Sequence, residues 1–330
     1  MKLIYLLLIL ITSNCTTKNS NFTRNLTAWF LFQNEKSLEI NYFQIKDFGY
    51  NPGGLNMYVY KPNELLNSPP VVFSLHGCSE SANSYRNSGW DLLAEERKFL
   101  VVYPEQPLVS ASNNRCFGWF NSTDTTKDMG QAKSILSMLE YVIKNYNVNP
   151  NKVYINGLSA GGYFASNMVA LYPEKFQAFG SVAAGPSRCY PEGVNSNPFN
   201  ITQCTNGLTT VNKTGQEWKD ILVNLNPQNQ VWPRAIFIHG DSDIVVKPTL
   251  LEEARKQWTT IHLVSSPFQN IDNANFIQKT YGTVENPLVE TWILKNLGHA
   301  FPINNCGKQD TFYVQAAICG SKVMADFFKL

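Results

Sequence analysis

Gly157-Leu158-Ser159-Ala160-Gly161, with Gly162 directly after it, sets a serine between glycines. A serine hydroxyl is a poor nucleophile until a neighbouring base takes its proton, so the pattern matters only with its surroundings. Val153-Tyr154-Ile155-Asn156 before it reads as a buried strand, and Gly162 to Leu171 after it reads as a helix. A sharp strand-to-helix turn lifts a serine Oγ above the end of a sheet, at a helix N-terminus, where it can attack a carbonyl carbon. The glycines allow the bend and the close packing around it. The bland alternative is a glycine-rich phosphate or cofactor turn.

A base must follow. The chain has four histidines, His76, His239, His262 and His299. In this type of fold the order along the chain is serine, acid, histidine. That order excludes His76 and puts His239 ahead of the best acid. His262, in Thr-Ile-His-Leu-Val, reads as a polar residue at the edge of a structured segment. His299, in Asn296-Leu297-Gly298-His299-Ala300, follows the apolar run Leu288 to Leu294, so it can swing over the sheet end to Ser159. The acid comes from the loop after Ala235-Ile236-Phe237-Ile238, where Asp241 and Asp243 are both placed to hold an imidazole. An oxyanion needs backbone N–H groups aimed at the developing charge. The residue after the nucleophile, Ala160, supplies one, and the loop after Val71–Leu75 supplies the second, assigned to Cys78. His76 is then expected to hold that loop by hydrogen bonds. Trp119, Tyr163, Tyr190 and Trp232 are candidates for a substrate wall, although large aromatics also serve as plain core.

Elements must bring these residues together. Strands are expected at 38–45, 55–60, 71–75, 99–103, 153–156, 178–183, 234–239 and 288–294. Helices are expected at 90–98, 128–146, 162–171, 250–258 and 314–328. In the second of these Ile135, Leu139, Val142 and Tyr146 share one face. Strands alternating with helices predict a mostly parallel sheet covered on both faces. The first two strands have no helix between them and predict an antiparallel hairpin at the N-terminal edge, turning at Asn51-Pro52-Gly53-Gly54. Residues 38–330 therefore read as one domain. The stretch 184–230, rich in Asn, Pro and Gly, breaks the alternation and reads as an insertion over one sheet edge.

Composition narrows the partners. The chain has 330 residues, and 27 Lys and Arg stand against 25 Asp and Glu, so no basic excess points to nucleic acid. Hydrophobic residues make up 44% and charged residues 16%, which suits a folded core and excludes a disordered chain. Met1 to Ser13, with Lys2 before Leu3 to Ile11, reads as a signal peptide ending near residue 15, and its apolar run is too short to span a bilayer. Cys15 as a lipidation cysteine is the weaker reading. Residues 16–37 read as a polar lead-in. Past the leader stand Cys78, Cys116, Cys189, Cys204, Cys306 and Cys319, an even number that favours disulfides in an exported chain. Locality suggests Cys189 with Cys204 and Cys306 with Cys319, which leaves Cys78 with Cys116. No Cys/His spacing fits zinc, and the chemistry proposed needs no metal or cofactor. Five glycosylation tripeptides begin at Asn21, Asn25, Asn121, Asn200 and Asn212.

Taken in order, the chain resembles the catalytic domain of secreted poly(3-hydroxybutyrate) (PHB) depolymerases, relatives of feruloyl and acetyl-xylan esterases. The resemblance runs from Phe48-Gly49-Tyr50-Asn51-Pro52-Gly53 through Leu75-His76-Gly77-Cys78, Val102-Tyr103-Pro104-Glu105-Gln106 and Asn114-Arg115-Cys116. It continues through the Ser159 turn, His239-Gly240-x-x-Asp243-x-x-Val246 and Gly298-His299 to Ile318-Cys319-Gly320-Ser321. It implies an α/β-hydrolase fold, a triad of Ser159, Asp243 and His299, and an oxyanion hole at the Gly-Cys turn and Ala160. Asp241 is then left as a turn residue. The expected function is secreted ester hydrolysis, of PHB or its oligomers first and of plant cell-wall esters second, with no obligate protein partner. A catalytically dead binding protein on the same scaffold is the alternative from another class.

Overall fold

The computed structural model describes residues 41–107, 114–189, 198–206 and 211–330. The leader, the 16–37 lead-in, Cys15, Asn21, Asn25 and Tyr190 lie outside them. The folded body is Phe43–Leu330. Twelve strands are present among the described residues: β1 (Tyr42–Ile45), β2 (Asn56–Tyr60), β3 (Val71–Leu75), β4 (Leu100–Glu105), β5 (Val153–Leu158), β6 (Ala178–Val182), β7 (Arg234–Gly240), β8 (Pro267–Asp272), β9 (Phe276–Gly282), β10 (Pro287–Leu294), β11 (Phe301–Ile303) and β12 (Tyr313–Gln315). The first ten form one sheet in the order β1-β2-β4-β3-β5-β6-β7-β10-β9-β8, and β11 and β12 pair separately. From β4 through β10 the neighbours run parallel, while β2 is antiparallel to β4 and β9 to both β10 and β8. Every residue of β3, β5 and β6 is buried, which happens only when both faces of a sheet are covered.

Among the described residues the α-helices are α1 (Ala82–Tyr85), α2 (Trp90–Arg97), α3 (Gly130–Tyr146), α4 (Ala160–Leu171), α5 (Pro198–Asn206), α6 (Gly215–Leu225), α7 (Thr249–Ile261) and α8 (Gly320–Phe328). In α3, Ile135, Leu139 and Val142 are buried together, and Tyr146 is half-buried at the end of the stripe. Every residue of α4 is buried. Helix α8 packs against the sheet. Its Phe328 ring stacks on Tyr154 and Trp90, Met324 lies against Gly180, and Asp326 pairs with Arg97 at 2.6 Å.

Three regions differ from the sequence expectation. The stretch 184–230 is partly helical. Thr214 and Glu217 form a reciprocal capping box that starts α6, and Trp218 and Leu222 bury its inner face. Residues 265–282, which show no clear strand period, form the β8–β9 hairpin that widens the sheet at its far edge; β8 is exposed along its whole length. Residues 314–315 belong to β12, and α8 begins only at Gly320, because Cys319 caps it.

Candidate active site

Ser159 occupies the one-residue turn between β5 and α4, with φ 54° and ψ −120°. A side chain rarely adopts that region, and holding one there costs about 1–3 kcal/mol. The strain persists because the surroundings leave no alternative. The Ser159 N–H donates to Val182 O at 2.8 Å. A Cβ on Gly161 would stand 2.3 Å from Leu75 O, and one on Gly157 would stand 2.3 Å from the Gly161 carbonyl carbon. The glycines are thus a condition of β3, β5 and α4 meeting at one point.

The acid and histidine loops follow the parallel neighbours β7 and β10 and are laced together. Asp241 N donates to Leu294 O and Ser242 N to Leu297 O, both at 3.0 Å, and Asp241 Oδ1 accepts the Asn296 N–H at 2.8 Å. A Cβ on Gly240 would sit 2.1 Å from Leu297 O, so only glycine lets the loops approach this closely. Asp241 is a turn residue that joins the two loops.

Across this frame His299 Nε2 lies 2.9 Å from Ser159 Oγ, and its Nδ1 lies 2.8 Å from Asp243 Oδ2. Asp243 Oδ1 accepts the N–H groups of Val245 and Val246 at 2.8 and 2.9 Å. Burial alone would raise the Asp243 carboxyl. Hydrogen bonds from His239 and His299, the charge of His299 and the Val246 N–H outweigh it and hold the group well below the usual carboxylate range. His239, which chain order places ahead of the acid, also touches this group. Its Nε2 faces Val246 O at 2.9 Å and Asp243 Oδ2 at 3.3 Å. The i, i+4 spacing His239-x-x-x-Asp243 was the available signal. His262 accepts no such role, since its Nε2 meets Pro233 O at the end of α7.

The loop after β3 runs beside the serine. His76 Nδ1 donates to Gly77 O at 2.7 Å while its Nε2 accepts the Gln106 N–H at 3.1 Å, which fixes the tautomer. Gln106, Gln131 and the Gly118 N–H continue this chain of buried hydrogen bonds toward Trp119. Glu80, 5% exposed, accepts the Gly77 N–H at 2.7 Å and the Tyr313 O–H at 2.6 Å. Disulfides join Cys78 to Cys116, Cys189 to Cys204 and Cys306 to Cys319, and the first ties this loop to the neighbouring wall. Ala160 is the first residue of α4, so its N–H has no intrahelical partner.

Ser159 and His299 open into a cleft of about 850 Å³ that Cys78, Glu80, Ala160, Trp119, Tyr163 and Val245 also line. Trp119 and Tyr163 stack with ring centroids 4.3 Å apart, and Phe120 meets Trp119 edge-on. The Tyr163 hydroxyl donates to Cys204 O. Trp232 does not line this cleft; it packs half-buried, edge-on to Trp258. Among the described residues no group of three His, Cys, Asp or Glu side chains is arranged to hold a metal ion.

His76 and Glu80 carry a prediction for stability. Burial presses the His76 imidazole down to about 4 against the Gly77 hydrogen bond, and burial pushes the Glu80 carboxyl up to about 7. As pH falls from 6.5 to 4 the unfolded chain takes up a proton at His76 that the folded one refuses, so stability is lost on acidification. As pH rises from 4.5 to 7 the folded chain keeps a proton at Glu80 that the unfolded one releases, so stability is lost on alkalinisation. Each effect is worth about 3 kcal/mol, and over their shared window they oppose one another. Glu80→Gln removes one of them. Its unfolding free energy is expected to rise by about 2–3 kcal/mol from pH 4.5 to 6.5 relative to the parent protein, read by urea denaturation. Parallel pH curves for the two proteins would refute it.

A family model described as esterase PHB depolymerase matches residues 55–187. A poly(3-hydroxyalkanoate) depolymerase C of Paucimonas lemoignei is 33% identical over 298 residues, 86% of this chain and 69% of that protein. An acetylxylan esterase of Coprinopsis cinerea is 33% identical over 268 residues, 78% of this chain and 69% of its own. A feruloyl esterase B of Thermothelomyces thermophilus is 31% identical, covering 79% and 89%. Among solved structures, an acetyl xylan esterase from Aspergillus awamori shares the fold with a TM-score of 0.74 at 23% identity, over 87% of this chain and 98% of that one.

Proposed function

The chain belongs to the PHB-depolymerase-type esterase family, to which acetylxylan and feruloyl esterases are also related, and from that premise we propose that it is a secreted hydrolase cleaving PHB or its oligomers through Ser159, His299 and Asp243. The observation that carries the mechanism is the unbroken hydrogen-bonded line from Asp243 through His299 to Ser159 at the floor of an open cleft. Ser159 Oγ attacks the ester carbonyl carbon while His299 Nε2 takes the hydroxyl proton. Asp243 keeps the proton of His299 on Nδ1 and stabilises the imidazolium. The N–H groups of Cys78 and Ala160 receive the oxyanion. Collapse of the tetrahedral intermediate releases the alcohol with the proton from His299, and water, activated by the same histidine, then frees the acid from the acyl-enzyme.

Disulfides in the body of the protein support the exported reading, because such bonds persist in oxidising compartments. Among the described residues no helix is long and apolar enough to cross a membrane. A second reading, hydrolysis of acetyl or feruloyl groups on cell-wall polysaccharide, is favoured by the amide and carboxyl side chains of Gln106, Asn114, Asn121 and Asp124 along the cleft, which suit sugar hydroxyls.

The test is clearing of an amorphous PHB suspension by the purified protein, with acetylated xylan, methyl ferulate and p-nitrophenyl butyrate in parallel and Ser159→Ala as control. Clearing by the parent protein alone is the expected result. Cleavage of the xylan or ferulate ester without clearing would move the substrate to the second reading. A folded protein that cleaves none of the four would refute ester hydrolysis at this site and leave a binding role on the scaffold.

A further inference from the structure

Glu80 is a carboxyl buried beside the reacting serine with no part in the proton transfers. It lies on the turn after β3, and a Cβ added to Gly77 would meet Glu80 Oε2 at 2.8 Å and Ser159 Cβ at 3.5 Å. Its two oxygens are committed in opposite directions. Oε2 accepts the Gly77 N–H, and Oε1 accepts the hydroxyl of Tyr313, itself buried on β12. On the other side of Gly77, His76 donates to the carbonyl oxygen. That carbonyl shares its peptide plane with the Cys78 N–H. In a planar trans peptide the C=O and N–H point in opposite directions, so holding one aims the other. His76 holds one side of Gly77 and Glu80 the other, and the direction of the Cys78 N–H is what remains fixed between them.

We propose that Glu80 is a positioning residue for hydrolysis: anchored by Tyr313, it holds the Gly77 N–H and so sets the turn that presents the Cys78 N–H to the oxyanion. The inference rests on the reading of Ser159 and Cys78 given above. The brace does not require a charge. A protonated carboxyl keeps Oε2 as acceptor and turns its proton toward Tyr313, whose hydroxyl then accepts. Glutamine reproduces that pattern with its amide oxygen on Gly77 and its NH₂ on Tyr313. Alanine cannot.

Loss of one oxyanion donor lowers kcat by about 10²–10³-fold in serine hydrolases, which bounds what a displaced turn can cost. On p-nitrophenyl butyrate, Glu80→Ala is expected to lose about 30- to 100-fold in kcat with KM changed less than about threefold, and Glu80→Gln to recover kcat to within about fivefold of the parent. Tyr313→Phe, which removes only the anchor, should fall between them. Melting curves establish that each variant is folded. If Glu80→Ala does not fold, Glu80→Asp, whose carboxylate is one methylene short of Gly77, takes its place with the same expected loss. A folded Ala or Asp variant with kcat within threefold of the parent overturns the proposal, and so does a Gln variant as slow as Ala. Ser159→Ala is run beside them. If it keeps activity, the reading of the nucleophile has failed and the proposal with it. If it is inactive while the Glu80 variants are unimpaired, only the proposal has failed.

Discussion

Ser159→Ala is expected to lower kcat on a soluble ester by about 10⁶-fold, the scale on which removal of a serine nucleophile acts in enzymes of this chemistry. The fold should survive, because among the described residues the hydroxyl bonds only to His299 and the methyl group of alanine fits where Cβ already stands. The turn itself keeps the alanine in the same strained backbone, since the obstacles at Gly157 and Gly161 are untouched. KM should change little. A residual rate of about 10³-fold over water is expected to remain, supplied by oxyanion donors and by substrate held in the cleft. Initial rates at high enzyme concentration, with active-site titration of the parent, measure both quantities. A loss of less than about tenfold would mean that another group attacks the ester.

The second largest effect is expected from Asp243→Asn, and here the direction of the side chain decides the outcome. Oδ1 of Asp243 faces two backbone donors, the N–H groups of Val245 and Val246. An asparagine must put its carbonyl oxygen there, because an NH₂ group would leave both donors, the buried Val246 N–H among them, without that acceptor. Its NH₂ then faces His299 Nδ1, which has to become an acceptor. The imidazole proton moves to Nε2, opposite Ser159 Oγ, and the ring can no longer take the serine proton. A loss of about 10⁴-fold in kcat follows from this tautomer change alone. Stopped-flow or steady-state rates on p-nitrophenyl butyrate read it, and an undiminished kcat in the folded variant would show that Asp243 does not set the tautomer.

The parts of this site that the sequence exposes are those whose constraints are local. The Ser159 turn is legible because strand, serine and glycines occupy one run, and the need for glycine arises where Gly161 meets the carbonyls of β3. His299 is legible through chain order after an apolar strand, whereas that order leaves Asp241 and Asp243 both open and only the family resemblance favours Asp243. Glu80 was not legible. Its significance depends on Tyr313, 233 residues away, and on burial that no local pattern announces. His239 stands ahead of Asp243 in the chain, outside the serine, acid, histidine order, yet its i, i+4 spacing to Asp243 is visible in the sequence. The same contrast holds for the fold. The strands β3, β5, β6 and β7 are short, mostly apolar runs and declare themselves. The edge strand β8, Pro-Phe-Gln-Asn-Ile-Asp, is exposed throughout and has no buried face to impose a period. In the 184–230 stretch the capping box at Thr214 and Glu217 was present in the sequence, but the surrounding Asn and Pro masked the helix it starts.

The position of α8 bears on when this molecule can exist during its own synthesis. Phe328 fills the space between Trp90 and Tyr154, and Met324 covers Gly180 in the middle of the sheet. Until the ribosome has made those residues, the strands before them lie open on one side, with aromatic rings facing water. A nascent chain with that gap stays short of its stable state, since closing the core needs contacts far apart in sequence. The core around Trp90, Tyr154 and Gly180 therefore closes only once α8 has been made, so folding of the described body waits on a contact far along the chain.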